Sequence, residues 1–129
     1  MNEDVLTKKI IACAFKVHNK LGAGFLEKVY ENSMVIELKM NGLKVEQQFP
    51  IPVFYENIQV GDYYADLLVN DEIIVELKAV ENLTKQHEVQ VVNYLNGIGH
   101  EIGLLINFGS SVSVKRKYRR YNQGIDQEF

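Results

Sequence analysis

At 129 residues, with 47% apolar and 24% charged side chains, the chain has the composition of one folded domain and not of a disordered segment. Its single cysteine, Cys13, excludes an internal disulfide, a zinc-binding Cys/His set and the four thiolates of an iron–sulfur cluster. A lone thiol without a secretory leader fits a reducing compartment, and no apolar run nears the roughly 20 residues of a membrane span, so the expected location is the cytoplasm. The net charge of −3 is unevenly spread: Lys115, Arg116, Lys117, Arg119 and Arg120 fall together, while the other nine basic residues face all 17 acidic ones. Such a stripe is either a phosphate contact or a solvated strand.

In chain order, Leu6, Ile10, Cys13, Val17 and Leu21 recur at helical spacing, which predicts a helix from about Glu3 to Leu21. Gly22 ends it and Gly24 permits a sharp reversal. A second helix is expected from about Phe25 to Met40, with Leu26, Val29, Tyr30, Ser33, Ile36 and Met40 as its buried stripe and Asn41-Gly42 as its stop. Leu43 to Tyr55 alternates and is β-rich, but Pro50 and Pro52 each remove a ladder donor, so it reads as an edge or bulged strand. Glu56-Asn57 is a turn, and Ile58 to Val69 a second strand with a break near Gly61-Asp62. Ile73 to Val80 is the third strand, and its run Ile73-Ile74-Val75 points to the sheet centre. Thr84 to Leu95 is helical, capped by Asn82 or Thr84. Glu101 to Phe108 reads as a buried strand, and Ser113 to Tyr121 as a final exposed one. The order is ααβββαββ, an α+β layered domain with helices on a mixed sheet.

Two features concentrate chemistry. Glu76 and Lys78 lie two apart in a strand and so share a face, although charge in an apolar central strand is costly unless paired or metal-bound. Ten residues upstream, Asp66 interrupts the apolar run Tyr63 to Val69. Two carboxylates meeting across neighbouring strands make a hard-oxygen site suited to Mg²⁺ or Mn²⁺, and a lysine beside them can hold a phosphate. The bland alternative is an exposed hairpin face with solvated Asp, Glu and Lys. Register separates the two readings. A two-residue Asn70-Asp71 turn would put Asp66 and Glu76 on opposite faces; a three-residue loop Asn70-Asp71-Glu72, or a bulge, would pair them.

Other pieces surround these. Glu27 and Tyr30 lie three apart near the start of the second helix, where a glutamate can also serve the helix dipole. His87, Gln90 and Tyr94 share a face of the helix after Lys78, a spacing that packing residues also adopt. Taken together, the sequence resembles the GxxExxY proteins, named for the motif filled here by Gly24, Glu27 and Tyr30 and assigned to the PD-(D/E)XK nuclease superfamily. The resemblance runs from about Leu6 to Arg120 and includes Asn107-Phe108-Gly109 at the end of the penultimate strand. Asp66, Glu76 and Lys78 match the D…(D/E)xK signature, with Ala65 where the signature's name has proline. Gln90 and Tyr94 look like the QxxxY element of the recombination-exonuclease branch.

The resemblance implies a restriction-endonuclease-like core and hydrolysis of nucleic-acid phosphodiesters, DNA ahead of RNA. Asp66, Glu76 and the Leu77 carbonyl would bind Mg²⁺ or Mn²⁺, with Glu27 completing the shell directly or through water. Lys78 would position the nucleophile or offset developing charge; Gln90 would orient Lys78 or a phosphate, and Tyr94 would support it. His87 reads as a polar residue at the pocket rim, and His18 and His100 as surface or helix-end residues. Lys115, Arg116, Lys117, Arg119 and Arg120 are the expected nucleic-acid contacts, and no iron–sulfur cluster or membrane is implied. The rival reading is a catalytically inactive nuclease-fold module that binds nucleic acid or protein, acting as a homodimer or a subunit. The intact Asp66/Glu76/Lys78 set argues against it, since a retired site has no local reason to keep buried charge.

Overall fold

The computed structural model describes residues 1–120. Its first helix, α1 (Glu3–Leu21), starts where Asn2 accepts the Val5 amide at 2.9 Å and Glu3 and Asp4 meet the positive end of the helix dipole. It stops at Gly22, whose φ of 78° only glycine adopts cheaply. Helix α2 (Glu27–Met40) follows, then strands β1 (Val45–Tyr55), β2 (Ile58–Val69) and β3 (Ile73–Lys78), helix α3 (Lys85–Ile98), and strands β4 (Ile102–Phe108) and β5 (Val112–Tyr118). The last strand ends at Tyr118, with Arg119 and Arg120 beyond it, short of the expected Tyr121, which itself lies outside the described residues.

The five strands form one sheet in the order β1-β2-β3-β4-β5, antiparallel except for the central β3–β4 pair. A parallel pair needs a crossover, and α3 supplies it. One face of the sheet packs on α1 and α2 through Leu6, Ile10, Val17, Tyr30, Met34 and Leu38 against Leu67, Val75, Leu77 and Leu104. The other packs on α3 through Val91, Tyr94 and Leu95 against Leu68, Ile74 and Leu105. The result is three layers, helices on both sides of a mixed α+β sheet, as expected.

Several boundaries differ from expectation for local reasons. β3 ends at Lys78, not Val80, because the Asn107 amide clamps both backbone groups of Val80, accepting from its N–H at 2.9 Å and donating to its carbonyl at 2.8 Å. α3 runs past Gly97 to a left-handed Gly99. β1 is an edge strand and bulged: its register against β2 shifts between Val53 and Phe54, leaving Val60 unpaired beside Gly61.

The buried stripe of α2 also requires correction. Tyr30 is buried, but Leu26, Val29, Ile36 and Met40 are exposed, and the face turned to the sheet is Tyr30, Met34 and Leu38 with Glu31 and Glu37. Two glutamates on the inward face disguise it in a hydrophobicity pattern, while an apolar outer row imitates it.

Candidate active site

The β2–β3 hairpin turns on Asn70 and Asp71, both with positive φ, and Glu72 donates its amide to Val69 at 3.0 Å. Glu72 is the added residue that sets the register: Val69 pairs with Ile73, Leu68 with Ile74 and Leu67 with Val75. This is the loop the two-carboxylate reading required. Beyond Leu67 the ladder stops and side chains take over. The Asp66 amide donates to Glu76 Oε1 at 2.7 Å, and the Leu77 amide donates to Asp66 Oδ2 at 2.8 Å.

Both carboxyl groups are buried, and this shifts their protonation. Burial first, and then the neighbouring Asp66 charge, push Glu76 up to about 8. Asp66 is raised as well, chiefly by burial, against the lowering pull of the Leu77 amide. Glu76 Oε2 accepts no hydrogen bond from the described residues. Two acids confined together with one acceptor open form a site whose charge a hard cation would balance. Among the described residues no three His, Cys, Asp or Glu side chains are grouped closely enough to hold a metal ion. A Mg²⁺-type ion asks for less, one or two carboxylates with water and substrate phosphate, and the Asp66/Glu76 pair fits that demand.

Helix α2 delivers two further acids. Glu27, half-buried in its first turn, is raised by burial and then by the charge of Asp66, but it does not join Asp66 and Glu76 in a group of three close enough to hold an ion. One turn on, Glu31 is buried, takes an ion pair from Lys28 at 3.0 Å, and accepts from Gln47 Nε2 at 2.6 Å. Tyr30 has a different task from Glu27. It is fully buried, stacks on Phe108 at 4.5 Å, and donates its hydroxyl to the Gly22 carbonyl at 2.7 Å while accepting the Phe25 amide at 3.3 Å. It therefore fixes the reversal that aims the start of α2 at the sheet.

Gln48 closes the arrangement and sequence reasoning missed it. Its Nε2 reaches both Glu31 oxygens, at 3.2 and 3.0 Å, and Asp66 Oδ1 at 3.3 Å. Its φ of 55° is left-handed backbone inside a strand, a strain of order 1–3 kcal/mol for a non-glycine residue. The strands change face there: Val45 and Leu67 belong to the core under α1 and α2, yet Phe49 and Ala65, an even step away, pack under α3. Glu31 was equally missed, though its place one turn after Glu27 was a usable signal.

On the α3 side Lys78 is half-buried, and its Nζ donates to Gln90 Oε1 at 3.4 Å. Tyr94 is buried one turn along, its phenol raised to about 12 by burial and then by Glu76 and Asp66. His87 has a structural task. Its Nδ1 accepts the Thr84 amide at 3.1 Å and its own amide donates to Thr84 Oγ1 at 3.4 Å, so the ring is used in the helix cap.

A family model for the PD-(D/E)XK nuclease superfamily matches residues 4–121. The chain belongs to that superfamily. No curated protein matches it. The crystal structure of SSO0001 shares the fold, with a TM-score of 0.56 at 15% identity over 76% of this chain and 53% of that one; the chain thus spans about half that protein's length.

In this PD-(D/E)XK chain Lys115, Arg116 and Lys117 lie on β5, the edge strand remote from β1, and alternate between its faces, while Arg119 and Arg120 follow its end. Lys117 pairs with Glu88 of α3 at 3.0 Å, Arg116 with Asp4 of α1 at 3.6 Å, and Arg119 with Glu101 at 3.6 Å. Lys115 shares the α3 side with Lys117, and Arg120 is the last described residue. Two other histidines act as ties: His18 contacts the Gly109 carbonyl at 2.8 Å, and His100 the Asp71 carbonyl at 3.1 Å. No described helix is long and apolar enough to cross a membrane.

Proposed function

We propose that this protein is a divalent-metal-dependent nuclease that hydrolyses nucleic-acid phosphodiester bonds. The observation that carries the reading is the Asp66–Glu76 pair, two buried carboxylates on one face with Lys78 beside them. Asp66, Glu76 and the Leu77 carbonyl would hold Mg²⁺ or Mn²⁺, with Glu27 reaching the same ion directly or through water. When bound, the ion supplies Lewis acidity that activates water and offsets phosphate charge.

The chain's own groups do the rest. Lys78 places an ammonium where negative charge develops on the phosphate, and Gln90 holds that ammonium in place. Tyr94, a neutral phenol whose ionisation burial and the neighbouring Glu76 and Asp66 oppose, donates a hydrogen bond without adding charge. Gln48 ties Asp66 to Glu31 and so orients the first carboxylate from behind. Lys115, Arg116, Lys117, Arg119 and Arg120 would extend the contact to backbone phosphates, with DNA preferred to RNA.

The Gly24, Glu27 and Tyr30 motif assigns the chain, in our reading, to the GxxExxY proteins, as one domain over residues 1–129, active in the cytoplasm without an iron–sulfur cluster and able to pair as a homodimer. The test is cleavage of labelled single- and double-stranded DNA and RNA by purified protein, with and without Mg²⁺ or Mn²⁺, using Lys78→Ala as the contamination control. Cleavage that needs the divalent ion and vanishes in the variant is the expected result. Absence of cleavage across the panel, or cleavage unchanged in the variant, sinks the reading and leaves an inactive binding module.

A further inference from the structure

Beside the carboxylate pair, a cleft of about 840 Å³ opens between the β1–β2 hairpin and α3. Its hairpin wall is Phe54 and Tyr63, both more than half exposed, and its floor includes Tyr94, whose ring lies 6.1 Å from that of Tyr63. The α3 wall presents side-chain amides, Gln90 and Asn93 among them, and Lys85 stands at its end. Lys85 makes no ion pair with any described residue. The cleft shares Gln90 and Tyr94 with the candidate active site, so whatever lies in it is continuous with a phosphate held at Lys78.

We infer that this cleft is a subsite for an unpaired nucleobase next to the scissile phosphate, an inference that rests on the nuclease reading for its place but not for its chemistry. Exposed aromatic rings offer stacking faces to any base, neighbouring amides can meet a base edge with donor and acceptor at once, and a lysine suits the adjoining phosphate. A base within a duplex cannot enter, because its faces are already stacked. The substrate is therefore one with a single-stranded stretch at the cleavage point. A base uses both chemistries in one planar ligand, its faces on the rings and its edge on the amides.

Fluorescence anisotropy with labelled oligothymidylate and a blunt duplex of equal length, in EDTA so that no turnover intervenes, tests it. The single strand should bind more tightly than the duplex. Tyr63→Ala and Phe54→Ala should each weaken single-strand binding by about 5- to 150-fold, the span of one lost base stack, and Tyr63→Phe should retain it. An abasic residue placed next to the cleavage site should reproduce the loss. Equal binding of both forms, or variants that bind as the parent does, overturns the inference and leaves the nuclease reading standing. If no cleavage is found with any metal while the Tyr63-dependent binding persists, the nuclease reading fails and the subsite remains.

Discussion

Asp66 and Glu76 are joined through the backbone: the Asp66 amide donates to Glu76 Oε1 at 2.7 Å, at the point where the β2–β3 ladder ends. With the matching bond from the Leu77 amide to Asp66, each carboxylate is locked by the strand that carries the other. Each keeps oxygen lone pairs for a further partner, and the pair is rigid before anything binds.

That arrangement depends on Glu72, the residue that sets the hairpin register. Deleting Glu72 should leave a two-residue Asn70-Asp71 turn and send the two carboxylates to opposite faces. The variant should either lose cooperative unfolding or fold without any rise in melting temperature on adding Mg²⁺ or Mn²⁺. A variant that folds and still responds to the ion as the parent does contradicts the register argument.

Stability in EDTA should fall as pH rises from about 4.5 towards 8. Glu76 is raised from 4.5 to about 8, so across that window the folded state holds a proton that the unfolded chain has released. Asp66 and Glu27 are raised too and act in the same direction. Melting temperature followed by circular dichroism should drop across this range, and Glu76→Gln should flatten the slope. The gain from added metal should grow with pH over the same interval, because the ion binds the deprotonated acids.

Lys78→Ala should leave the carboxylates in place while removing the ammonium beside the phosphate. The expected cost is about 10²–10³-fold in single-turnover rate at saturating metal. Glu76→Ala should instead weaken metal affinity, and raising Mn²⁺ should restore part of its activity. Metal titrations of cleavage separate the two: a lowered plateau for the lysine variant, a shifted midpoint for the glutamate variant.

Gln48 offers a case where activity and stability move apart. Gln48→Gly relieves the left-handed backbone strain but removes the link between Glu31 and Asp66. Activity or metal affinity should fall about 10- to 100-fold, as for groups that orient ligands, with no loss of melting temperature. A variant as active as the parent would make Gln48 a strand kink and nothing more.

Tyr30→Phe should keep the stack on Phe108 and lose the hydroxyl that the Gly22 carbonyl accepts. The expected destabilisation is about 1–3 kcal/mol in denaturant unfolding, since a part-buried carbonyl loses its donor. Activity should fall as well if Glu27, at the start of α2, serves the site as proposed.

Local chemistry by itself determined the element order, the edge or bulged character of proline-bearing β1 and the central place of β3, and it narrowed the meeting of Asp66 with Glu76 to a choice of hairpin register that the structure then decided. Those follow from periodicity, missing amide donors and the parity of a hairpin loop, all of which act between near neighbours in the chain. Gln48 was not legible in this way, and Glu31 was legible only as a residue one turn after Glu27, not as a buried one. A glutamate on the inner face of α2 reads as solvated until a strand from elsewhere brings Gln47 and Gln48 against it. The left-handed backbone at Gln48 sits where its side chain meets Glu31 of α2 and Asp66 of β2, and the nearby Phe49 and Ala65 pack in the other core. Strand alternation alone puts the basic residues of β5 on two faces, but their acidic partners, Asp4 of α1 and Glu88 of α3, were decided by packing. Patterns along a chain report which residues can share a face; only the meeting of three elements decides which buried charges find partners.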